Sequence, residues 1–292
     1  MSSAWNIQGK RCLVTGATSG IGEATALGLA QAGAHVTLVA RSLQKAEETQ
    51  KRITAEVPNS AVEIVLCDFA SFASIHAASD EILKRYERID CLVNNAGVFV
   101  LDRQETQDGI ESTFGVNHLG YFLFTRLLLP RLIHSAPARI VNVASHAHKF
   151  VNFDIDNLQP TENFSGINAY GVSKACNILF TGELARRIAG TGVTANSLHP
   201  GGVSTGLGSN NTGWLASLIR PLAMMVLKTP AKGARTSLHL AMSDSVSDTS
   251  GLYFANRRVN KPSAFATDPE TARKLWEISE ELCGLEPFSG VD

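Results

Sequence analysis

The feature that most constrains this chain is a repeated succession of one short apolar run and one longer amphipathic run. Residues 10–15, 34–40, 61–66, 89–94, 138–143 and 193–198 are short, apolar and mostly rich in β-branched side chains, which predicts strands. Residues 21–32, 43–57, 71–88, 109–134 and 169–189 lie between or after them and carry helical patterning. Strands that are apolar along their whole length are buried on both faces, and strands alternating with helices connect by right-handed crossovers. The expected fold is therefore α/β: a Rossmann-type doubly wound parallel sheet flanked by helices, in a single domain over residues 1–292. Its core is expected over about residues 9–255, with residues 256–292 a C-terminal extension. A sheet of this kind binds its ligand beyond the C-terminal ends of the strands, at the point where strand order reverses.

Residues 204–229 break the rhythm, being rich in glycine and asparagine at first and then strongly apolar. Two readings stay open for this segment. It is a lid over a hydrophobic substrate, or it is an ordinary buried helix or oligomer contact in which Trp214, Leu215, Leu218, Met224 and Met225 serve as core.

Charge narrows the partners. Lys plus Arg total 26 against 27 Asp plus Glu, so bulk electrostatics would not hold a nucleic acid, and a small molecule is the expected ligand. Arg257, Arg258 and Lys261 read as a solvated loop. The five cysteines, Cys12, Cys67, Cys91, Cys176 and Cys283, have no paired spacing and several sit in apolar runs, as expected of buried free thiols in a reducing compartment. The first residues lack the apolar core of a signal peptide, and no apolar run reaches the roughly 18 residues that span a bilayer. No membrane span and a cytoplasmic location are the expectation.

Two local patterns carry chemistry. Directly after the first strand comes Thr15-Gly16-Ala17-Thr18-Ser19-Gly20-Ile21-Gly22, leading into a helix. Gly16 permits a tight turn, Gly20 lets the backbone approach a pyrophosphate, and Gly22 lets helix and strand pack closely, with phosphates at the positive end of the helix. Further on, Tyr170 and Lys174 are four residues apart in a helix-forming run, which stacks their side chains on one face. A positive charge about 4 Å from a phenol is worth roughly 4 kcal/mol at an effective dielectric of about 20, enough to bring the tyrosine from about 10 toward neutrality.

Taken in order, these motifs resemble the short-chain dehydrogenase/reductase family, over about residues 9–255. The TGATSGIG turn is similar to its cofactor turn, Asn94-Asn95-Ala96-Gly97 to its fourth-strand motif, and Val116-Asn117-His118 to its mid-helix asparagine. Ser145 with Tyr170 and Lys174 resembles its catalytic set, and the segment from Pro200 and Gly201 through Val203 and Thr205 the stretch lining the nicotinamide. The resemblance implies cofactor contacts from Gly16, Thr18, Ser19, Gly20, Ile21, Gly22, Arg41, Ser42, Asp68, Phe69, Asn95, Ala96, Gly97, Tyr170, Lys174, Pro200, Gly201, Val203 and Thr205. Arg41 stands where relatives that prefer NAD carry an acid, and it suits a 2′-phosphate; the expected cofactor is NADP(H). Asp68 is expected at the adenine amino group, or as a cap of the next helix.

Hydride transfer to a carbonyl carbon needs a proton at the carbonyl oxygen and a donor fixing that oxygen. By the resemblance, Tyr170 exchanges the proton, Lys174 tunes it and holds the ribose, Ser145 binds the substrate oxygen, and Asn117 anchors a water leading to solvent. His118, His146, His148 and His199 are spread over separate segments without metal-ligand spacing, so no metal site is expected. Segments such as GIESTFGVNHLGYFLFTRLLLP and TGVTANSLHPGGVST are similar to the retinol dehydrogenase-like branch. That implies a small lipophilic carbonyl or alcohol substrate and a homo-oligomer built on helices 109–134 and 169–189. The competing readings are a non-catalytic NADP(H)-binding sensor or interaction module and a light-dependent protochlorophyllide reductase-like enzyme.

Overall fold

A computed structural model describes residues 5–201, 229–288 and 290. The strands are β1 (Arg11–Thr15), β2 (His35–Ala40), β3 (Val62–Leu66), β4 (Cys91–Asn94), β5 (Ala138–Val143), β6 (Val193–His199), β7 (Tyr253–Ala255) and β8 (Arg258–Val259). They form one sheet in the order β3-β2-β1-β4-β5-β6-β7-β8, parallel throughout except for the β7–β8 pair. This is the doubly wound arrangement expected, and its switch point lies between β1 and β4. Strands β4 and β5 are buried at every position, as required of a sheet covered on both faces.

The helices are α1 (Gly20–Gln31), α2 (Leu43–Glu56), α3 (Phe72–Arg85), α4 (Ser112–Phe114), α5 (Gly120–His134), α6 (Gly166–Arg187), α7 (Pro230–Met242) and α8 (Pro269–Leu282). Hydroxyl or carboxylate caps fix where many of them begin. Ser42, Ser71, Ser165 and Thr229 accept from first-turn amides of α2, α3, α6 and α7, and Asp268 does so for α8. Proline follows the cap in α7 and α8, where its missing N–H costs nothing.

Residues 109–134, expected as one helix, are divided. Gly109 sits in a turn at φ +75°, the Glu111 carboxylate caps α4 at 2.8 Å to both Thr113 and Phe114 amides, and a π-helical turn at Gly115–Leu119 joins α4 to α5. The short strands β7 and β8 were not expected. They are joined by Asn256 and Arg257, both at positive φ, in a tight hairpin that leaves Arg257, Arg258 and Lys261 exposed.

The larger apolar cluster lies where α3, α5, α6 and α8 cover the sheet. Trp276 of α8 packs edge-on against Phe122 of α5 (4.9 Å between centroids) and beside Phe180 of α6 (5.9 Å), while Arg126 pairs with Glu280. The chain's own C-terminal helix thus covers part of the two helices expected to face a second subunit. All five cysteines are buried free thiols. Among the described residues no helix is long and apolar enough to cross a membrane.

Candidate active site

The C-terminal ends of β1, β4 and β5 meet the starts of α1 and α6 and the π-turn. After β1 the chain turns through Gly16 at φ +63° and Gly20 at φ +57°. A Cβ on Gly16 would lie 2.7 Å from the Ala96 Cα, and one on Gly22 would collide with the Gly16 carbonyl and the Asn95 amide. The turn is therefore clamped against the end of β4. Thr15 Oγ1 accepts from the Asn95 and Ala96 amides (2.8 and 2.9 Å), and Asn95 Nδ2 donates to the Thr15 carbonyl (2.9 Å). Ser19 makes no side-chain cap to α1, so among the described residues no side chain takes up the amides of its first turn.

Around this turn the candidate contacts divide by what their side chains do. Arg41 is exposed at the end of β2, with no salt bridge among the described residues, whereas Ser42 caps α2. Asp68 accepts from the Ala70 amide at 3.0 Å, while the cap of α3 is Ser71. The Phe69 ring points into the core against Phe124 (5.5 Å) and Tyr121 (6.5 Å), leaving only its main chain toward the cleft.

The π-turn presents Asn117, fully buried. Its Oδ1 accepts from the Val98 amide (2.8 Å), and its Nδ2 donates to the Val98 carbonyl (3.0 Å) and to Ser173 Oγ (3.1 Å). A π-turn is an unusual, often functional, departure from helix geometry. Lys174, one helix position past Ser173, is buried and donates through Nζ to the Val143 carbonyl at 3.1 Å. A Cβ on Gly97 would be 3.2 Å from Asn117 Oδ1 and 3.7 Å from Lys174 Nζ, so the three adjoin.

Ser145 follows β5, and Tyr170 lies one turn before Lys174. The Ser145 hydroxyl accepts from the Ala147 amide at 3.2 Å and lies beside the Tyr170 phenol, and Phe99 packs edge-on to the Tyr170 ring at 5.4 Å. Lys174 Nζ stands 5.7 Å from the centre of the Tyr170 ring and 5.5 Å from that of Tyr121. Here the sequence expectation is corrected. Burial pushes Tyr170 up to about 12, with the Ser145 hydrogen bond as a smaller opposing influence, and burial alone lowers Lys174 to about 7. Both groups lose hydration together, and Lys174 points at a main-chain carbonyl rather than at the phenol, so desolvation outweighs the charge attraction.

The structure therefore brings together Gly16, Thr18, Ser19, Gly20, Ile21, Gly22, Asn95, Ala96, Gly97, Asn117, Ser145, Tyr170 and Lys174 at one end of the sheet. Pro200 and Gly201 follow β6 at the same end, Gly201 at φ +93°. Val203, Thr205 and almost all of the expected lid 204–229 lie outside the described residues. Two supports had no sequence signal. Tyr121 holds the Ala96 carbonyl at 2.7 Å, and His148 contacts the Ser145 carbonyl at 2.5 Å. The histidines are also less scattered than expected, since His146 stacks on His199 at 3.9 Å beside Tyr253. Among the described residues no group of three or more His, Cys, Asp or Glu side chains is arranged to hold a metal ion.

Residues 10–216 match the sequence profile of the family described as short chain dehydrogenase. The chain belongs to the short-chain dehydrogenase family. It is 42% identical over 286 residues to human retinol dehydrogenase 13, covering 96% of this chain and 86% of that protein. Human retinol dehydrogenase 14 is 42% identical over 296 residues, covering 96% and 88%. Among solved structures, an uncharacterised protein from Mycobacterium paratuberculosis superposes with a TM-score of 0.78 at 30% identity, over 98% of this chain and 97% of that one. A gluconate 5-dehydrogenase from Burkholderia cenocepacia, in complex with NADP and tartrate, does so with a TM-score of 0.66 at 25% identity, over 86% and 94%. The short-chain dehydrogenase described here is thus an oxidoreductase of CH–OH groups in the retinol dehydrogenase-like branch, and a nicotinamide dinucleotide is its cofactor class. The residues present fit such a group: the glycine turn has no room for side chains, no side chain among the described residues takes up the first-turn amides of α1, and Lys174 keeps ammonium donors beyond its Val143 bond.

Proposed function

We propose that this dehydrogenase is an NADP(H)-dependent enzyme that interconverts an aldehyde or ketone with its alcohol on a small lipophilic substrate. The observation that carries the reading is the convergence of the Ser145 hydroxyl and the Tyr170 phenol beside buried Lys174, at the same end of the sheet as the glycine turn. The nicotinamide, when bound, supplies or accepts the hydride. Tyr170 exchanges the proton with the substrate oxygen, and a phenol held near 12 is protonated throughout the neutral range, ready to donate during reduction. Ser145 fixes that oxygen by a hydrogen bond. Lys174 holds the ribose with the donors not used by Val143, and Asn117 keeps acceptor capacity beyond its Val98 bond for a water leading to solvent.

Arg41 supports NADP(H) over NAD(H), because an exposed guanidinium without a carboxylate partner among the described residues suits a 2′-phosphate. Apolar side chains exposed on segments flanking the site support a lipophilic ligand: Phe150 is 85% exposed and Ile167 is 71% exposed. A homo-oligomer would have to form on surface left free by α8, and sedimentation at micromolar concentration checks it. The decisive screen measures NADPH and NADH oxidation with retinal, medium-chain aldehydes, steroid ketones and aromatic ketones. Turnover with at least one of these, faster with NADPH, is expected. Tight NADPH binding without turnover on the whole panel would favour the sensor reading instead.

A further inference from the structure

Two buried histidines adjoin the site without a part in the chemistry above, and each reaches a serine in the last thirty residues. His148 is fully buried, three residues after Ser145, and edge-on to Tyr253 at 5.3 Å. Its Nδ1 lies 2.5 Å from the Ser145 carbonyl, a group that only accepts, and its Nε2 lies 3.2 Å from the Ser263 amide, a group that only donates. These partners require a neutral ring with its proton on Nδ1. The Ser263 hydroxyl adds a bond to the His148 carbonyl at 3.4 Å. His118 follows Asn117 in the π-turn and is also fully buried; its Nε2 is 2.9 Å from Oγ of Ser279, a fully buried residue of α8. Burial lowers both histidines, His118 to about 3, so both remain neutral at physiological pH.

We propose that the C-terminal extension is a positioning element of the active site, holding Ser145 through the Ser263–His148 bridge and Asn117 through the Ser279–His118 bridge. The proposal rests on the reading of Ser145 and Asn117 given above. Ser145 stands at the junction of β5 and a single 3-10 turn, His146–Phe150, and Asn117 in a π-turn of five residues. Each element is short, and a constraint from outside it helps to place its residue to the fraction of an ångström that a reacting oxygen requires. The extension adds such a constraint from 115 and 161 residues away along the chain. Its wider packing serves the same end, since Phe265 stacks on Phe153 at 4.9 Å and Lys274 pairs with Asp156 of the segment before α6.

The test uses the full chain, with NADPH and the panel aldehyde that gives the highest kcat/KM. Ser263→Pro deletes the amide hydrogen that His148 accepts, and the φ of −63° at Ser263 suits the proline ring. Ser263→Ala deletes only the hydroxyl. With kcat expressed per NADPH-binding site, Ser263→Pro is expected to lose about tenfold to a hundredfold, Ser279→Ala a smaller factor, and Ser263→Ala almost nothing, with NADPH affinity unchanged throughout. In a Ser145→Ala background Ser263→Pro should cost nothing further, because it acts through Ser145. Nitrogen-15 spectra of the parent should show His148 with its proton on Nδ1, a result that stands even if a variant does not fold. Parent-like kcat in Ser263→Pro, an undiminished loss in the Ser145→Ala background, a loss that disappears once kcat is expressed per NADPH-binding site, or an Nε2 proton on His148 would each overturn the bridge. Tyr170→Phe, assayed alongside, separates the two claims: turnover there refutes the reading of the site, whereas an inactive Tyr170→Phe beside a parent-like Ser263→Pro refutes the bridge alone.

Discussion

The glycine-rich turn and the proposed catalytic group share one end of the sheet, yet the first is made of backbone clamped against the end of β4 and the second of side chains held by several different elements. Gly16 and Gly22 leave no space for a Cβ, and Thr15 and Asn95 close the turn onto β4. Asn117, Ser145 and Lys174 meet Val98, His148 and Val143, while His148 reaches Ser263 and His118, next to Asn117, reaches Ser279. A dinucleotide site common to many chemistries can be built of rigid backbone. A site that must place a hydroxyl, a phenol and an ammionium together needs support from several elements at once.

The largest effect that would sharpen this contrast lies on the catalytic side. Ser145→Ala should lower kcat by about a hundredfold to a thousandfold, the usual loss on removing one donor to a reacting oxygen, with NADPH affinity left near the parent value. Steady-state kinetics beside fluorescence titration of NADPH checks it, and a parallel loss of cofactor affinity would blur the distinction between the two regions. On the turn side, Gly22→Ala drives a methyl group into the Gly16 carbonyl and Asn95. The overpacking of about 1–3 kcal/mol should weaken NADPH by about tenfold to a hundredfold, seen in the same titration. Arg41→Ala should lower the preference for NADPH over NADH by about tenfold, the worth of one exposed charge-assisted contact, read from the ratio of kcat/KM values.

The smallest effect concerns stability. Lys174 is held near 7 in the folded chain against an ordinary 10.5, so between those values the unfolded chain binds the extra proton. Raising the pH through this window therefore stabilises the fold, and the cost of burying the ammonium is complete below about 7. Lys174→Met is expected to raise Tm by a few degrees at pH 6 and to lose that advantage by pH 10, as thermal scans at the two pH values would show. An equal Tm change at both would mean that the lysine is not buried as a charge.

The same contrast decides how much could be read from the chain. Strands β1 to β6 fell within two residues of expectation because short, mostly apolar runs with β-branched side chains signal strands buried on both faces. The glycine turn was legible because its residues are consecutive. Strand β7 escaped because Tyr253–Ala255 is three residues long and is defined by pairing with β6. The π-turn left no trace in the helical patterning of residues 109–134; in the fold Gly115 lies so close to Thr106 and Ile110 that a Cβ there would come within 2.7 Å of Thr106. The Tyr170 shift was misjudged in direction because four-residue spacing implies proximity but says nothing of hydration. His118 and His148 were invisible as supports, because the serines they meet lie more than a hundred residues away.

Tyr170→Phe isolates the proton exchange proposed for Tyr170, because it removes one oxygen and leaves the ring against Phe99. The purified variant is expected to bind NADPH within a few fold of the parent while its turnover falls below detection. Turnover at more than a few per cent of the parent, with cofactor bound, would contradict it.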